Sequence, residues 1–323
     1  VLKLYSRDKE SGTPFTWNLL KCYNLNSFLR RVTLLSSAQA IYDYYYTHCA
    51  LDRGSELSDK NDYPLGIFDS GLGGLTVLKE LCSMLPDENI VYLGDTARVP
   101  YGIRSPATVT RYSFECIKFL LQKEIKILVI ACNTVSSISL PEIKKTLEIP
   151  VVGVIEPGAR AAAEATKNKK IGVIGTEATI KSKAYSKAIG YISKEIEVYE
   201  HACPLFVPLA EEGWTEDIIA FLIADKYLTS IKEKGVDTLV LGCTHYPLLK
   251  NVIQKAMGDA ALIDSAVETS KVVRDVLLKN GLERQSTLPP KRKYYVTDSP
   301  EKFRTLGEKF LHSSIDDIEK IAL

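Results

Sequence analysis

The sequence predicts an α/β protein made of two similar units with mainly parallel sheets, each unit packed as three layers. Three observations carry this reading. Short apolar runs alternate with helix-like stretches from Pro64 onward, the pattern of βαβ units. One strand–cysteine–polar pattern occurs twice. Glycine-rich or polar loops follow the apolar runs, where the strand ends of an open parallel sheet face a ligand crevice.

Taken in order, Leu65-Gly-Ile-Phe68, Ile90-Val-Tyr-Leu93, Ile127-Leu-Val-Ile130 and Val151-Val-Gly-Val-Ile155 read as buried strands. Ile171-Gly-Val-Ile174 and Thr238-Leu-Val-Leu241 read the same way. All are too short for helices and lack the strict alternation of a half-exposed strand. Helices are predicted over 75–84, 106–123 and 215–234. Near the C-terminus Tyr294-Tyr-Val-Thr297 leads into a helix reaching about Leu311, with Ser299 as a cap and Pro300 at its first position.

Residues 1–62 differ from the rest. They hold a tyrosine-rich patch at 41–46, a polar stretch at 52–62 that reads as a linker, and a helix expected within 18–46. No chemical motif stands out there, so this extension has no readable role. The expected organisation is therefore the extension 1–62, a first α/β domain over 63–156 plus 266–323, and a second over 157–265.

With 41 basic against 40 acidic residues, the chain carries no global field that would recruit nucleic acid or an anionic membrane. Its seven cysteines are odd in number and never at CxxC spacing, so neither a zinc cluster nor a disulfide framework is indicated. Free thiols fit a reducing compartment. The run Val32-Thr-Leu-Leu35 is too short for a signal-peptide core, and no apolar stretch approaches the roughly 20 residues of a membrane span. A cytoplasmic location is expected.

The repeat carries the chemistry. Ile127-Leu-Val-Ile-Ala-Cys132-Asn-Thr134 and Thr238-Leu-Val-Leu-Gly-Cys243-Thr-His245 share a strand, a small residue, a cysteine and two polar residues. Each follows a glycine-containing strand, at Gly66 and Gly172, by 66 residues in one half and 71 in the other. Two such units would set Cys132 and Cys243 on opposite walls of one inter-domain cleft. The other five cysteines read as ordinary apolar residues.

Two opposed thiols suit a reaction that removes a proton from one face of a carbon and returns one to the other. Each alternates between thiolate and thiol, and thiolate is intrinsically reactive. Asp69 and His245 are placed to assist, one in each half. Ser70, Asn133, Thr134 and Thr244 can hydrogen-bond a carboxylate or an ammonium group. For Asp69 an Asx-type turn or a helix cap is an alternative. The loop Asp69-Ser-Gly-Leu-Gly-Gly74 suits carboxylate binding beside a helix start, or simply a tight strand-to-helix turn. It matches neither nucleotide-binding glycine pattern.

Phe68-Asp-Ser-Gly-Leu-Gly-Gly74, Val99-Pro-Tyr-Gly102, Ala131-Cys-Asn-Thr134, Val154-Ile-Glu-Pro-Gly158 and Gly242-Cys-Thr-His-Tyr-Pro247 together resemble the bacterial glutamate racemases. So do Gly175-Thr-Glu-Ala-Thr-Ile180 and Pro208-Leu-Ala-Glu-Glu-Gly213. The match runs from about Pro64 to the C-terminus. The resemblance implies a pseudo-twofold pair of domains with the active site between them. It also implies interconversion of L- and D-glutamate without cofactor or metal, supplying D-glutamate for peptidoglycan. Cys132 would deprotonate the D-enantiomer and Cys243 the L-enantiomer. Substrate contacts would fall on Asp69, Ser70, Tyr101, Gly102, Asn133, Thr134, Thr244 and His245, with Asp95 supporting them. A supporting glutamate falls in Glu211-Glu212, with Glu211 preferred. The expected partner is the small-molecule substrate, with no nucleic acid and no membrane, and a homodimer is expected. A racemase for aspartate or hydantoins, or a non-catalytic amino-acid binding module, is the alternative.

Overall fold

Gly66 and Gly172 mark equivalent places in two parallel sheets. In the computed structural model, which describes residues 5–7, 14–16 and 60–323, β1 (Leu65–Asp69) and β3 (Ile127–Ile130) pair with Gly66 opposite Leu128. In the second sheet β5 (Lys170–Gly175) and β7 (Thr238–Gly242) pair with Gly172 opposite Leu239. Cys132 and Cys243 each lie four positions beyond the leucine of their pair.

The likeness extends to the neighbours. With β2 (Ile90–Gly94), β4 (Val151–Gly153), β6 (Glu197–Ala202) and β8 (Ala261–Asp264), the order β2-β1-β3-β4 in one sheet recurs as β6-β5-β7-β8 in the other. All these pairings are parallel. The first sheet continues beyond β2 through β9 (Arg292–Val296) and β10 (Ile318–Lys320), giving six strands against four. The chain therefore re-enters the first sheet after leaving the second.

The strands are apolar along their length because both faces of each sheet are covered. Side chains alternate between faces with a period of two. Leu65, Ile67, Ile127 and Val129 meet α1 (Leu75–Met84), α11 (Ser265–Asn280) and α12 (Pro300–Leu311) on one side. Phe68, Leu128 and Ile130 meet α2 (Pro106–Leu121), α3 (Asn133–Ile138) and α4 (Leu140–Thr146) on the other. In the second sheet Ile171, Val173 and Val240 pack on α5 (Ile155–Ala165) and α7 (Ala184–Ile192). Ile174, Leu239 and Leu241 pack under α8 (Phe206–Glu211), α9 (Ile218–Lys232) and α10 (Lys250–Met257). A further short helix, α6 (Glu177–Ser182), follows β5 and is capped by the Thr176 hydroxyl. These are two three-layer α/β arrangements.

Two details depart from the sequence reading. Ser299 does stand before Pro300 at the start of α12, but its side chain makes no capping hydrogen bond; its backbone turns through the left-handed region instead, at φ 48°. The predicted strand at 151–155 ends at Gly153, because Ile155 already opens α5.

Asp59–Leu323 form one unit. Residues Tyr5–Arg7 and Pro14–Thr16 form a short antiparallel pair that belongs to another. The helix expected within 18–46, Cys22 and Cys49 lie outside the described residues. The five described cysteines are all free, and no described helix is long and apolar enough to cross a membrane.

Candidate active site

The loops after β1, β2, β3, β5 and β7 meet at the C-terminal ends of both sheets. Strand pairing fixes this first. Because Phe68 lies opposite Ile130 and Asp69 opposite Gly94, the loops beginning at Ser70, Asp95 and Ala131 emerge side by side. The equivalent register in the second sheet brings out Thr176 beside Cys243.

A narrow cavity forms where the loops converge. Its first wall is built by Ser70, Tyr101, Gly102, Cys132, Asn133 and Thr134. Glu211, Cys243, Thr244 and His245 line it from the second sheet. All ten are residues picked from the sequence. Val99, Pro100, Thr176 and Val207 also line it and were not picked. Asp69 and Asp95 are fully buried and do not line the cavity; they stand behind its wall.

Cys132 occupies the N-cap position of α3 and its thiol lies 3.4 Å from the Ser70 hydroxyl. Burial pushes this thiol up, and the nearby Asp69 carboxylate adds to the effect. The Ser70 hydroxyl and the Val135 amide pull the other way, while the charge of Cys243 raises it further. The outcome is a thiol pushed up to about 12. Both thiols line the same cavity.

On the other wall, Cys243 Sγ lies 3.9 Å from His245 Nδ1. His245 Nε2 lies 3.3 Å from Glu211 Oε1. Burial would lower the imidazole, but the contact with Cys243 and the ion pair with Glu211, with the charges of Cys243 and Asp69, lift it to about 10. Glu211 is correspondingly held below the usual carboxylate range by its bond to His245. Of the two adjacent glutamates, Glu211 is the one that reaches the histidine, whereas Glu212 is exposed.

Asp69 makes the Asx-type turn that the sequence left open: its Oδ2 accepts the Gly71 N–H at 2.9 Å. Burial raises its pKa against the opposing pull of His245 and the loop amides of Gly74, Gly71 and Ser70. Asp95 accepts from the Tyr101 hydroxyl, from Arg98 Nε at 2.6 Å and from the Thr297 hydroxyl at 2.8 Å. It holds the Pro100–Gly102 stretch from behind.

The glycines of the first loop serve close approach. A Cβ at Gly73 would stand 2.2 Å from Thr244 Oγ1 and 2.5 Å from His245 Nδ1. Gly102 likewise makes room for Thr176, whose Cβ would lie 2.6 Å away. Across the cavity the Thr134 and Thr176 hydroxyls meet at 3.0 Å. The two walls are thus in direct contact, and only glycine allows it at Gly73.

Among the described residues no group of three or more His, Cys, Asp or Glu is placed to hold a metal ion. The polar groups lining the cavity are instead hydroxyls, an amide, an imidazole, a carboxylate and two thiols, a set suited to hydrogen-bonding and proton transfer on a small polar molecule.

A family model described as Asp/Glu/Hydantoin racemase matches residues 74–271. The glutamate racemase of Geobacter metallireducens is 55% identical over 260 residues, spanning 80% of this chain and 96% of that protein. The crystal structure of glutamate racemase from Francisella tularensis in complex with D-glutamate superposes with a TM-score of 0.77 at 41% identity, covering 81% of this chain and 98% of that one. Glutamate racemase isoform RacE1 from Bacillus anthracis gives 0.79 at 40% identity, with the same coverage. By fold, by sequence and by extent of match, the chain belongs to the Asp/Glu/Hydantoin racemase family, among its glutamate racemases.

Proposed function

We propose that this amino-acid racemase interconverts L- and D-glutamate by a two-base mechanism, with Cys132 and Cys243 as the acid/base pair. The observation that carries the reading is the duplicated strand–cysteine unit, which brings both thiols to one cavity. In the forward direction the Cys243 thiolate takes the α-proton of L-glutamate. The Cα–H electron pair passes into the substrate carboxyl group, and the Cys132 thiol delivers its proton to the opposite face. In the reverse direction Cys132 accepts the proton and Cys243 supplies one.

The α-proton is a very weak acid, so donors aimed at the developing enolate-like charge must contribute. Asn133, Thr134 and Thr244 are the candidates on the cavity wall. His245, paired with Glu211, supplies positive charge beside Cys243, and Asp69 stands behind Cys132 as the corresponding proton acceptor. Orientation of the substrate between the two sulfurs supplies much of the remaining rate.

The larger setting is proposed from the family likeness. The product D-glutamate serves peptidoglycan synthesis, and the protein acts in the cytoplasm as a homodimer, with its small-molecule substrate as the partner.

The test is cofactor-free exchange of the glutamate α-hydrogen with deuterium from solvent, run beside the same assay on aspartate. Exchange on glutamate and loss of racemisation in both Cys132→Ser and Cys243→Ser are expected. Exchange on aspartate alone refutes the substrate, and wild-type turnover in either serine variant refutes the two-base mechanism.

A further inference from the structure

We infer that Tyr185 is a positioning residue that locks the Asn133 side chain as a hydrogen-bond donor and so commits that position to a substrate carboxylate; this rests on the racemase reading. Tyr185 lies on α7, in the second three-layer arrangement, and is fully buried. Its hydroxyl reaches across to Asn133, the residue after Cys132, and donates to Asn133 Oδ1 at 2.8 Å.

The direction of that bond is set by the acceptor. An amide oxygen accepts and does not donate, so the one proton of the phenol goes to Asn133 Oδ1. The amide oxygen is thus occupied, and the amide cannot turn to present it. The amide nitrogen, Nδ2, is buried and has no hydrogen-bond partner among the described residues, while Asn133 lines the cavity.

A buried N–H2 without a partner is costly unless a ligand completes it. The group it takes must accept hydrogen bonds. A carboxylate does so, and a substrate ammonium, which can only donate, is rejected. Sequence alone leaves Asn133 able to serve either end of an amino acid; the Tyr185–Asn133 hydrogen bond decides between them. Gly158 and Gly242 hold the tyrosine ring in place: a Cβ at Gly242 would come within 3.1 Å of Tyr185 Cε2, and one at Gly158 within 3.3 Å of its Oη.

The test uses the full-length enzyme. Tyr185→Phe keeps the ring and removes only the hydroxyl. It should lower kcat/KM for glutamate roughly five- to tenfold, the worth of one hydrogen bond. Asn133→Ala should lower kcat/KM as well, and adding Tyr185→Phe to it should change nothing further, because the tyrosine acts only through the amide. A simple packing defect would instead multiply into the double variant. Tyr185→His, which keeps a ring N–H able to donate, should lower kcat/KM less, in the same direction, and covers the case in which Tyr185→Phe does not fold. Wild-type kcat/KM in folded Tyr185→Phe, or full multiplication of either tyrosine variant with Asn133→Ala, overturns the inference. Absence of racemisation in the wild-type protein would instead overturn the racemase reading itself.

Discussion

A methyl group at Gly73 should cripple catalysis with a modest effect on folding. Its Cβ would stand 2.2 Å from Thr244 Oγ1, 2.5 Å from His245 Nδ1 and 2.7 Å from His245 Cε1. Ordinary van der Waals contact begins near 3.4 Å, so these atoms must retreat by about 1 Å. Neither residue is free to do so cheaply. His245 is buried and tied to Cys243 and Glu211, and Thr244 is buried beside it, with its carbonyl accepting from the Thr76 hydroxyl at 3.2 Å. A shift of that size at groups next to the reacting atoms costs on the order of 100-fold in rate. Overpacking of a tight interior costs roughly 1–3 kcal/mol, which leaves a stable domain its fold. Gly73→Ala should therefore lower kcat/KM about 100-fold in both directions. Gly190→Ala is the control. Nothing lies within 4 Å of a Cβ at Gly190, and in α7 the change should stabilise by roughly 0.5–1 kcal/mol. Racemisation rates from each enantiomer, with thermal melts, decide the matter. A folded Gly73→Ala protein with wild-type kcat/KM would refute the argument that this contact sets the geometry of the second wall.

Two further predictions concern stability. The His245 pKa is about 10 in the folded chain against an ordinary value of 6.5, so the folded state binds this proton more tightly than the unfolded state. Its stabilising contribution is full below about pH 6.5, declines as pH rises toward the folded value and is gone above about pH 10. Urea titrations across that range should show the wild type losing more stability than His245→Asn, and parallel losses would contradict the assignment. Lys126 and Glu88 form a buried ion pair at 2.5 Å, with side chains 1% and 5% exposed. Lys126→Met should cost roughly 3–5 kcal/mol by leaving a buried carboxylate uncompensated. Adding Glu88→Leu should recover part of it, and a loss below about 1 kcal/mol would show that the pair is not what holds this end of the sheet.

The central strands and the thiol pair were legible because both are local patterns. Buried parallel strands must be apolar throughout, so Ile127–Ile130 and Thr238–Gly242 announce themselves, and the cysteine after each is then fixed by position. Helix α1 was legible to the residue for a similar reason, since its apolar face repeats at helical spacing between a glycine and a proline. Three of the four edge strands of the parallel sheets were not; the fourth, Val151–Gly153, was. Glu197–Ala202 carries two glutamates and a histidine and is only half-buried, while Ala261–Asp264 and Ile318–Lys320 are short and partly exposed. An edge strand is specified by its one neighbour rather than by its own composition. Site residues divided the same way. Asn133, Thr134, Thr244 and His245 follow their cysteines directly. Thr176 and Tyr185 reach the cavity and its amide from the other sheet, through contacts that no local pattern encodes. Asp69 and Asp95 carried the right chemistry in the sequence, but only the structure shows them behind the wall.

The repeat supplies equivalent positions, yet the two thiols have different surroundings, and that difference bears on the reaction. Beside Cys132 stand a hydroxyl and a buried carboxylate, and burial with the Asp69 charge pushes the thiol up to about 12. At neutral pH Cys132 is therefore a proton donor. Beside Cys243 stands an imidazole lifted to about 10, so the charge there is positive. A carboxylate opposes negative charge on a neighbouring sulfur. On the two-base reading, a protonated Cys132 is the acid that completes turnover beginning from L-glutamate. Starting from D-glutamate requires the Cys132 proton to leave first, and Asp69, its own pKa raised by burial, is the group placed to receive it. The enantiomers have equal free energy in solution, so kcat/KM must be equal in the two directions. The asymmetry of the walls can then appear only as matched changes in kcat and KM between L- and D-glutamate, which is where unequal neighbours and equal energetics are reconciled.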